Sequence, residues 1–394
     1  MTVMTSVKAD TADLLQVAEE LALVARAHAQ EIDAQRRIPD PVISAFREAG
    51  LFSAMRPVEA GGAGISLSTF VDITRIISRG DASAGWVAAF LISHNWLLSR
   101  LNAEAQHEIF TDGEGLAAAT AAPPGKAEPV EGGYRVTGRW RFASAILHSN
   151  WAIVSAGGAS GPLAVIAKIS EGEIHDVWNV PGMRGTGSND FELDNAFIPA
   201  HRVVDFIKYS SRQSDGVELY PNYDALQYPM FRVLSLIHGA VGVGTAEAAL
   251  ELFPAAMDKR VRPQTGQPLI TELGTFSAYG EAYQQTMVAR LLLDDAVART
   301  EHLYRPGSAE PSVEDRARLN LAVTGSGVEA AKAVDIIVQN AGASIQRTGH
   351  PLELICRNNQ VMRNHVTLDW RYVQSLAGRV LLGQGLGAHL DALY

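Results

Sequence analysis

The chain has 394 residues, 47% hydrophobic and 19% charged, with 33 basic against 43 acidic side chains and a formal net charge of -10. That balance gives no electrostatic footprint for nucleic acid, and a single cysteine, Cys356, excludes an intramolecular disulfide and any CxxC metal or redox motif. A chain of this length suggests two or three domains and needs no disulfide or metal to hold its core.

The N-terminal stretch MTVMTSVKADTADLL has no basic segment followed by an apolar one, so no secretory signal is expected and the cytoplasm is the default compartment. No apolar run is expected to reach the ~18 residues of a membrane span. Leu14, Val17, Leu21 and Val24 recur at the spacing of one helix face. Asp40 and Pro41 suit the N-cap and first position of a second helix, which Gly50 closes. A glycine-rich loop, Glu59 to Gly64, follows, and helical patterns resume over Ser68–Arg79 and from Ser83 to about Arg100.

Near Gly115 the texture changes. Short β-rich runs, Tyr134–Thr137, Trp151–Val154, Leu163–Ile166 and Phe191–Leu193, continue to about Asp205. A polar, tyrosine-rich connection (208–228) leads into a second helical region, with a loop at Arg305–Ser308. The expected division is a helical domain (1–115), a β domain (116–207) and a C-terminal helical bundle (208–394). This order is not a βαβ alternation, which argues against a doubly wound nucleotide fold. Gly239, Gly242 and Gly244 lie inside a helical pattern, as do Gly325 and Gly327, so they read as close helix packing rather than a phosphate loop.

The order of elements, with Ile38-Pro39 through Gly61-Gly62-Ala63-Gly64, Tyr134 through Trp140-Arg141-Phe142-Ala143-Ser144, Gly182-Met183-Arg184-Gly185-Thr186-Gly187-Ser188 and Arg262-Pro263-Gln264-Thr265-Gly266, resembles the acyl-CoA dehydrogenase superfold. The resemblance covers nearly the whole chain. It implies an α-helical domain, a central β-barrel-like domain and a four-helix bundle, assembled as a homotetramer. Within that superfold, the stretch Arg184 to Asp190 and the Phe142-Ala143-Ser144 turn are similar to the reduced-flavin-dependent aromatic monooxygenases. These are the oxygenase halves of two-component systems, among them 4-hydroxyphenylacetate hydroxylase and the indole and steroid-phenol oxygenases. That branch implies reduced FAD or FMN from a separate NAD(P)H flavin reductase, and O₂. It implies hydroxylation of a phenol, an indole or a fused polycycle through a flavin C4a-hydroperoxide.

Residue roles follow from the same resemblance. Ser144 would face flavin N5; the plain alternative is a serine ending a strand. His365 would hydrogen-bond the reacting oxygen or take a phenol proton, for which an ordinary pKa of ~6.5 is suited. His94 and Thr120 would contact a substrate hydroxyl, although a satisfied core histidine is an equal reading of His94. Trp96 is open between pocket wall and core. Arg262, Thr186 and Ser188 would hold the flavin tail, a guanidinium suiting a phosphate. The connector tyrosines Tyr209, Tyr220, Tyr223 and Tyr228 would border the pocket. Val366 aligns where a dehydrogenase of this fold can carry its carboxylate base, which disfavours abstraction of an acyl α-proton. An acyl-CoA dehydrogenase, an N- or S-oxygenase, and a non-catalytic scaffold remain the alternatives. Asn358 departs from the Asp usual in both branches.

Overall fold

The structure is a computed structural model that describes residues 11–387 apart from 112 and 259. Helices lead: α1 (Thr11–Ala27), α2 (Ala29–Gln35), α3 (Asp40–Glu48), α4 (Leu67–Gly80), α5 (Ala82–Leu98) and α6 (Ala103–Thr111). The chain then lays down β1 (Ala117–Val130), β2 (Gly133–Ala143), β3 (Trp151–Gly158), β4 (Gly161–Lys168), β5 (Glu173–His175), β6 (Asn189–Pro199) and β7 (Val203–Asp205). Helices return as α7 (Phe206–Ser210), α8 (Asp215–Leu219), α9 (Met230–Met257), α10 (Leu273–Leu303), α11 (Val313–Ala341), α12 (Pro351–Met362) and α13 (Trp370–Leu381).

The punctuation residues account for the boundaries. The Ser66 hydroxyl accepts from the Thr69 N–H and opens α4. Asp81 accepts from the Ala84 N–H at 2.8 Å and opens α5, so one carboxylate separates two consecutive helices. At α3 the expectation is one residue off. Pro39 holds the N-cap position and Asp40 is already helical, where its charge still complements the helix dipole. Gly50, at φ 68°, ends that helix in the left-handed conformation.

The seven strands form one sheet in the order β5-β6-β2-β1-β3-β4-β7, antiparallel except for the β1–β3 pair. Its own apolar cluster includes Val136, Trp140, Val154, Val165, Phe191, Leu193 and Ile198. A second, larger core joins helices from both ends of the chain: Leu21, Phe46, Phe70 and Trp96 share it with Leu236, Val241, Leu293 and Ile337. The two helical regions are therefore one packed body with the sheet set against it.

Helix α9 is the centre of that body, and its glycines are there for close approach. A Cβ on Gly239 would collide with the Ser326 hydroxyl, and one on Gly244 would collide with the Arg75 carbonyl. One expectation is corrected here. Helix α9 is long and apolar enough, by length and composition, to cross a membrane, but 83% of its most apolar window is buried inside the fold.

The connector 208–228 is clamped by polar contacts. The buried Arg100 guanidinium donates to the carbonyls of Tyr209, Leu226, Tyr228 and Ser211. The Tyr223 hydroxyl meets the carbonyls of Met55 and Ile65, and the Tyr209 hydroxyl donates to the Leu97 carbonyl.

Candidate active site

Strand β2 ends in a turn that ordinary L-residues adopt reluctantly. Phe142 and Ala145 have φ of 60° and 65°, and Met183, in the facing loop, has φ of 52°. Such conformations cost of order 1–3 kcal/mol each and persist only where surrounding contacts fix them. Here the Ala145 N–H donates to the Thr186 carbonyl, and the Met183 N–H donates to Asn358 Oδ1 at 2.6 Å. The amide oxygen of Asn358, on α12, thus anchors the loop before Thr186. Arg357 adds a two-pronged ion pair to Asp33 and a bond to the Pro181 carbonyl.

Between these two loops the hydroxyls of Ser144, Ser188 and Thr186 form a buried chain. Ser144 Oγ and Ser188 Oγ are 2.8 Å apart, and Ser188 Oγ and Thr186 Oγ1 are 2.7 Å apart. Its direction follows from proton inventory. Thr186 donates its one proton to the Met183 carbonyl at 2.8 Å. Ser188 must then donate to Thr186, and Ser144 to Ser188. The end of the chain is therefore the Ser144 oxygen, its proton committed and its lone pairs able to accept. The structure brings together Ser144, Thr186 and Ser188, although they were expected to serve different ends of the flavin.

Across from this turn, Gly185 packs against Ser83 at the start of α5, one turn before Trp86. Trp86 is the hub of a wall of rings. It stacks on Phe90 at 5.2 Å and meets His238 edge-on at 4.8 Å and His365 at 5.5 Å. Phe90 in turn meets His94 at 4.9 Å. Trp86, Phe90 and His94 recur every four residues, which aligns them along one face of α5. His238 comes from α9, and His365 from the turn after α12.

The imidazoles are tuned by burial. His94 Nδ1–H donates to the Ala117 carbonyl at 2.7 Å, so its buried Nε2 carries a lone pair and has no partner. His365 Nδ1 accepts from the Thr367 N–H, so its proton sits on Nε2. Burial lowers the pKa of both to about 4. The expectation of an ordinary pKa at His365 is thereby corrected. At neutral pH it is an uncharged hydrogen-bond donor, and the free acceptor is His94. His238 is pushed well below 6.5, first by burial and then by His365, with the Ser235 backbone opposing weakly. No acidic group figures among the influences on these three rings.

The other expected residues lie elsewhere. Thr120 donates its hydroxyl to the Arg141 carbonyl at 2.8 Å, bracing the strand that leads into the Ser144 turn. Trp96 is corrected to core. It lies two residues beyond His94, about 200° around the helix, fully buried beneath the Arg100 guanidinium at 4.9 Å. Arg262 is exposed and paired with Glu272 through Nε at 2.7 Å. The connector tyrosines use their hydroxyls to hold the connector in place, Tyr209 and Tyr220 on α5 and α6, the latter donating to Gln106 at 2.7 Å, and Tyr223 on the loop carbonyls of Met55 and Ile65. Sequence reasoning missed Trp86, Phe90 and His238. The available signal for His238 was a lone imidazole in the otherwise apolar run of α9; for Trp86 and Phe90 it was their fourfold spacing to His94.

The Acyl-CoA dehydrogenase N-terminal domain matches residues 10–110, and the Acyl-CoA dehydrogenase C-terminal domain matches residues 236–370. Among relatives, the oxygenase component of an FADH(2)-dependent resorcinol hydroxylase from Rhizobium sp. is 29% identical, covering 91% of each chain. The oxygenase component of p-hydroxyphenylacetate 3-hydroxylase from Acinetobacter baumannii is 28% identical, over 90% of this chain and 86% of that one. In three dimensions, 3-HSA hydroxylase from Rhodococcus sp. RHA1 superposes with a TM-score of 0.89 at 26% identity, covering 97% of this chain and 98% of that one. With both domains matched in order and the whole fold shared, the chain belongs to the acyl-CoA dehydrogenase family, on the branch whose relatives are two-component oxygenase components.

Proposed function

We propose that this protein is the oxygenase component of a two-component monooxygenase that hydroxylates an aromatic small molecule, using O₂ and reduced FAD or FMN delivered by a separate NAD(P)H flavin reductase. The observation that carries the reading is the direction of the hydroxyl chain. Reduced isoalloxazine bears a proton on N5 and needs an acceptor there, whereas oxidised isoalloxazine needs a donor. Ser144 has committed its proton to Ser188 and offers a lone pair. The residues present therefore fit reduced flavin. When bound, that flavin supplies the activation of O₂ for transfer of one oxygen atom to the ring.

The protein's own residues supply orientation and proton control. Ser144 would accept from N5–H. His94 Nε2 can accept from a proton-bearing substituent of the substrate, and His365 Nε2–H can donate to an oxygen. Trp86 and Phe90 give the flat apolar surface that suits an aromatic ring. The resorcinol and p-hydroxyphenylacetate activities of the relatives agree with a phenolic substrate. Val366 is 80% exposed and carries no acid, which supports oxygenation over acyl-CoA dehydrogenation.

The same reading extends to assembly. Leu273, Phe276, Tyr283, Met287 and Leu291 form an exposed apolar stripe along α10, as a contact between copies would require. A homotetramer in the cytoplasm completes the proposal, with Arg262 reaching the flavin of a neighbouring subunit. The test is turnover with a flavin reductase, NADH, FAD or FMN and a panel of phenols and indoles in air. A hydroxylated product is expected; hydrogen peroxide as the sole product with every arene would contradict the reading.

A further inference from the structure

His238 is a titratable group of this site that nothing so far employs. It is 3% exposed, neither ring nitrogen makes a hydrogen bond of good geometry, and the one polar group acting on it from α9 is the Ser235 backbone a turn earlier. Its neighbours on α9, Leu236, Ile237, Gly239 and Ala240, are apolar or lack a side chain, and Ser235, one turn earlier, donates its hydroxyl to the Arg232 carbonyl. The ring lies 4.1 Å from that of His365, tilted by 35°, and 4.8 Å from Trp86. Buried polar groups are almost always satisfied, so an unsatisfied one in a native fold calls for a cause. Packing is not that cause, because a phenyl ring would fill the same volume without the desolvation penalty.

Position supplies one. Among the described residues, the buried nitrogens without partners on α5 and α9 are Trp86 Nε1, His94 Nε2, Trp96 Nε1 and both of His238. Trp96 lies in the core; the other three side chains belong to the ring wall built on Trp86 and Phe90. A neutral imidazole presents one donor and one acceptor on a rigid frame, the complement of a hydroxyl group. Trp86 and His94 are eight residues apart on α5, about 12 Å along the helix axis. His238 stands beside Trp86, at the end of the wall away from His94.

We infer that His238 is a substrate-contacting residue that hydrogen-bonds a polar substituent of the aromatic ligand, so that the preferred substrate carries two such substituents, one held by His94 and one by His238. This rests on the proposed function and names the substrate class within it: an arene with polar groups at two separated positions, as against a simple phenol.

The test compares wild type with His238→Phe, which keeps the ring packing, and His238→Gln, which restores a donor and an acceptor. The probes are 4-hydroxyphenylacetate, resorcinol and phenol, titrated calorimetrically without flavin and assayed for hydroxylation with it. In His238→Phe, affinity for the tightest-binding difunctional probe is expected to fall at least about tenfold and affinity for phenol to stay level. His238→Gln should recover part of the loss. Removing an unpartnered imidazole should also hold or raise the melting temperature. Equal losses for phenol and the difunctional probes, or a lower melting temperature with unchanged affinities, would assign His238 to packing and overturn the inference. Hydroxylation with unchanged KM in His238→Phe would overturn it alone, leaving the oxygenase reading intact. Failure of wild type to hydroxylate any arene would instead remove the reading on which it rests.

Discussion

In the turn that carries Ser144, each of the three side-chain hydroxyls has a partner, and the departure from ordinary structure is in the backbone, where Phe142, Ala145 and Met183 hold positive φ. Around Trp86 the reverse holds. Trp86, His94 and His238 sit on regular helix, and the departure is in polar side-chain atoms left without partners. A strained turn with satisfied hydroxyls is a frame that presents one acceptor in one direction. A regular helix with unpartnered nitrogens presents donors and acceptors on a rigid frame. On the proposed function, cofactor orientation would fall to the sheet side and substrate recognition to the helix side.

The largest effect expected from breaking the contrast is on the turn. Ser144→Ala removes the terminal acceptor and leaves Ser188 bonded to Thr186. Product formed per reduced flavin should fall by about 100-fold, the scale seen when one preorganised hydrogen bond to a reacting group is lost. Stability should change by no more than about 1 kcal/mol. Parallel measurement of product, hydrogen peroxide and denaturant midpoint checks both halves; an unchanged product yield would return Ser144 to a structural role.

The next effect sharpens the helix side through pH. His94 has a folded pKa of about 4 against an ordinary 6.5, so between those values the unfolded chain binds the proton and the folded one does not. Stability contributed by the neutral ring is complete above pH 6.5 and is lost as pH falls toward 4. Asp81 acts oppositely. Burial raises its pKa to about 7, so its contribution is lost as pH rises from about 4 to 7. The histidine share is isolated by comparing melting temperatures of wild type and His94→Phe from about pH 7 to about pH 4. The variant should gain relative to wild type as pH falls. A constant difference would mean that His94 titrates normally.

A smaller effect concerns strain. Phe142 is 64% exposed at φ 60°, so Phe142→Gly relieves an unfavourable conformation while losing little packing. A gain of about 1 kcal/mol in stability is expected. A loss would show that the Phe142 contact with Trp178, at 6.1 Å, outweighs the strain.

Much of this was legible in the sequence. The helix–sheet–helix order, the strands at Tyr134, Trp151, Leu163 and Phe191, and the close-packing role of Gly239 and Gly244 follow from local pattern, because periodicity and turn chemistry are local properties. Ser144 is singled out by the family resemblance of its flanking motif, and His94 by its place in an otherwise apolar helical run, where a core histidine is an equal reading. Three things were not legible. The direction of the hydroxyl chain depends on a Met183 carbonyl far along the chain from Ser144. The lowered pKa of His365 depends on burial. The pairing of His238 with His365 joins helix α9 to the turn after α12, far along the chain. Each is tertiary, and no spacing rule encodes it. Trp96 shows the converse: it stands beside His94 in sequence, yet helical rotation carries it to the far side.

The central claim is that the polypeptide directs one atom of dioxygen into an arene. Isotope analysis of the aromatic product formed under ¹⁸O₂, with flavin reduced by a separate reductase, tests it most directly. The account predicts a product heavier by one ¹⁸O atom. An unlabelled product, or all of the label recovered in hydrogen peroxide while an acyl-CoA is desaturated, would contradict it.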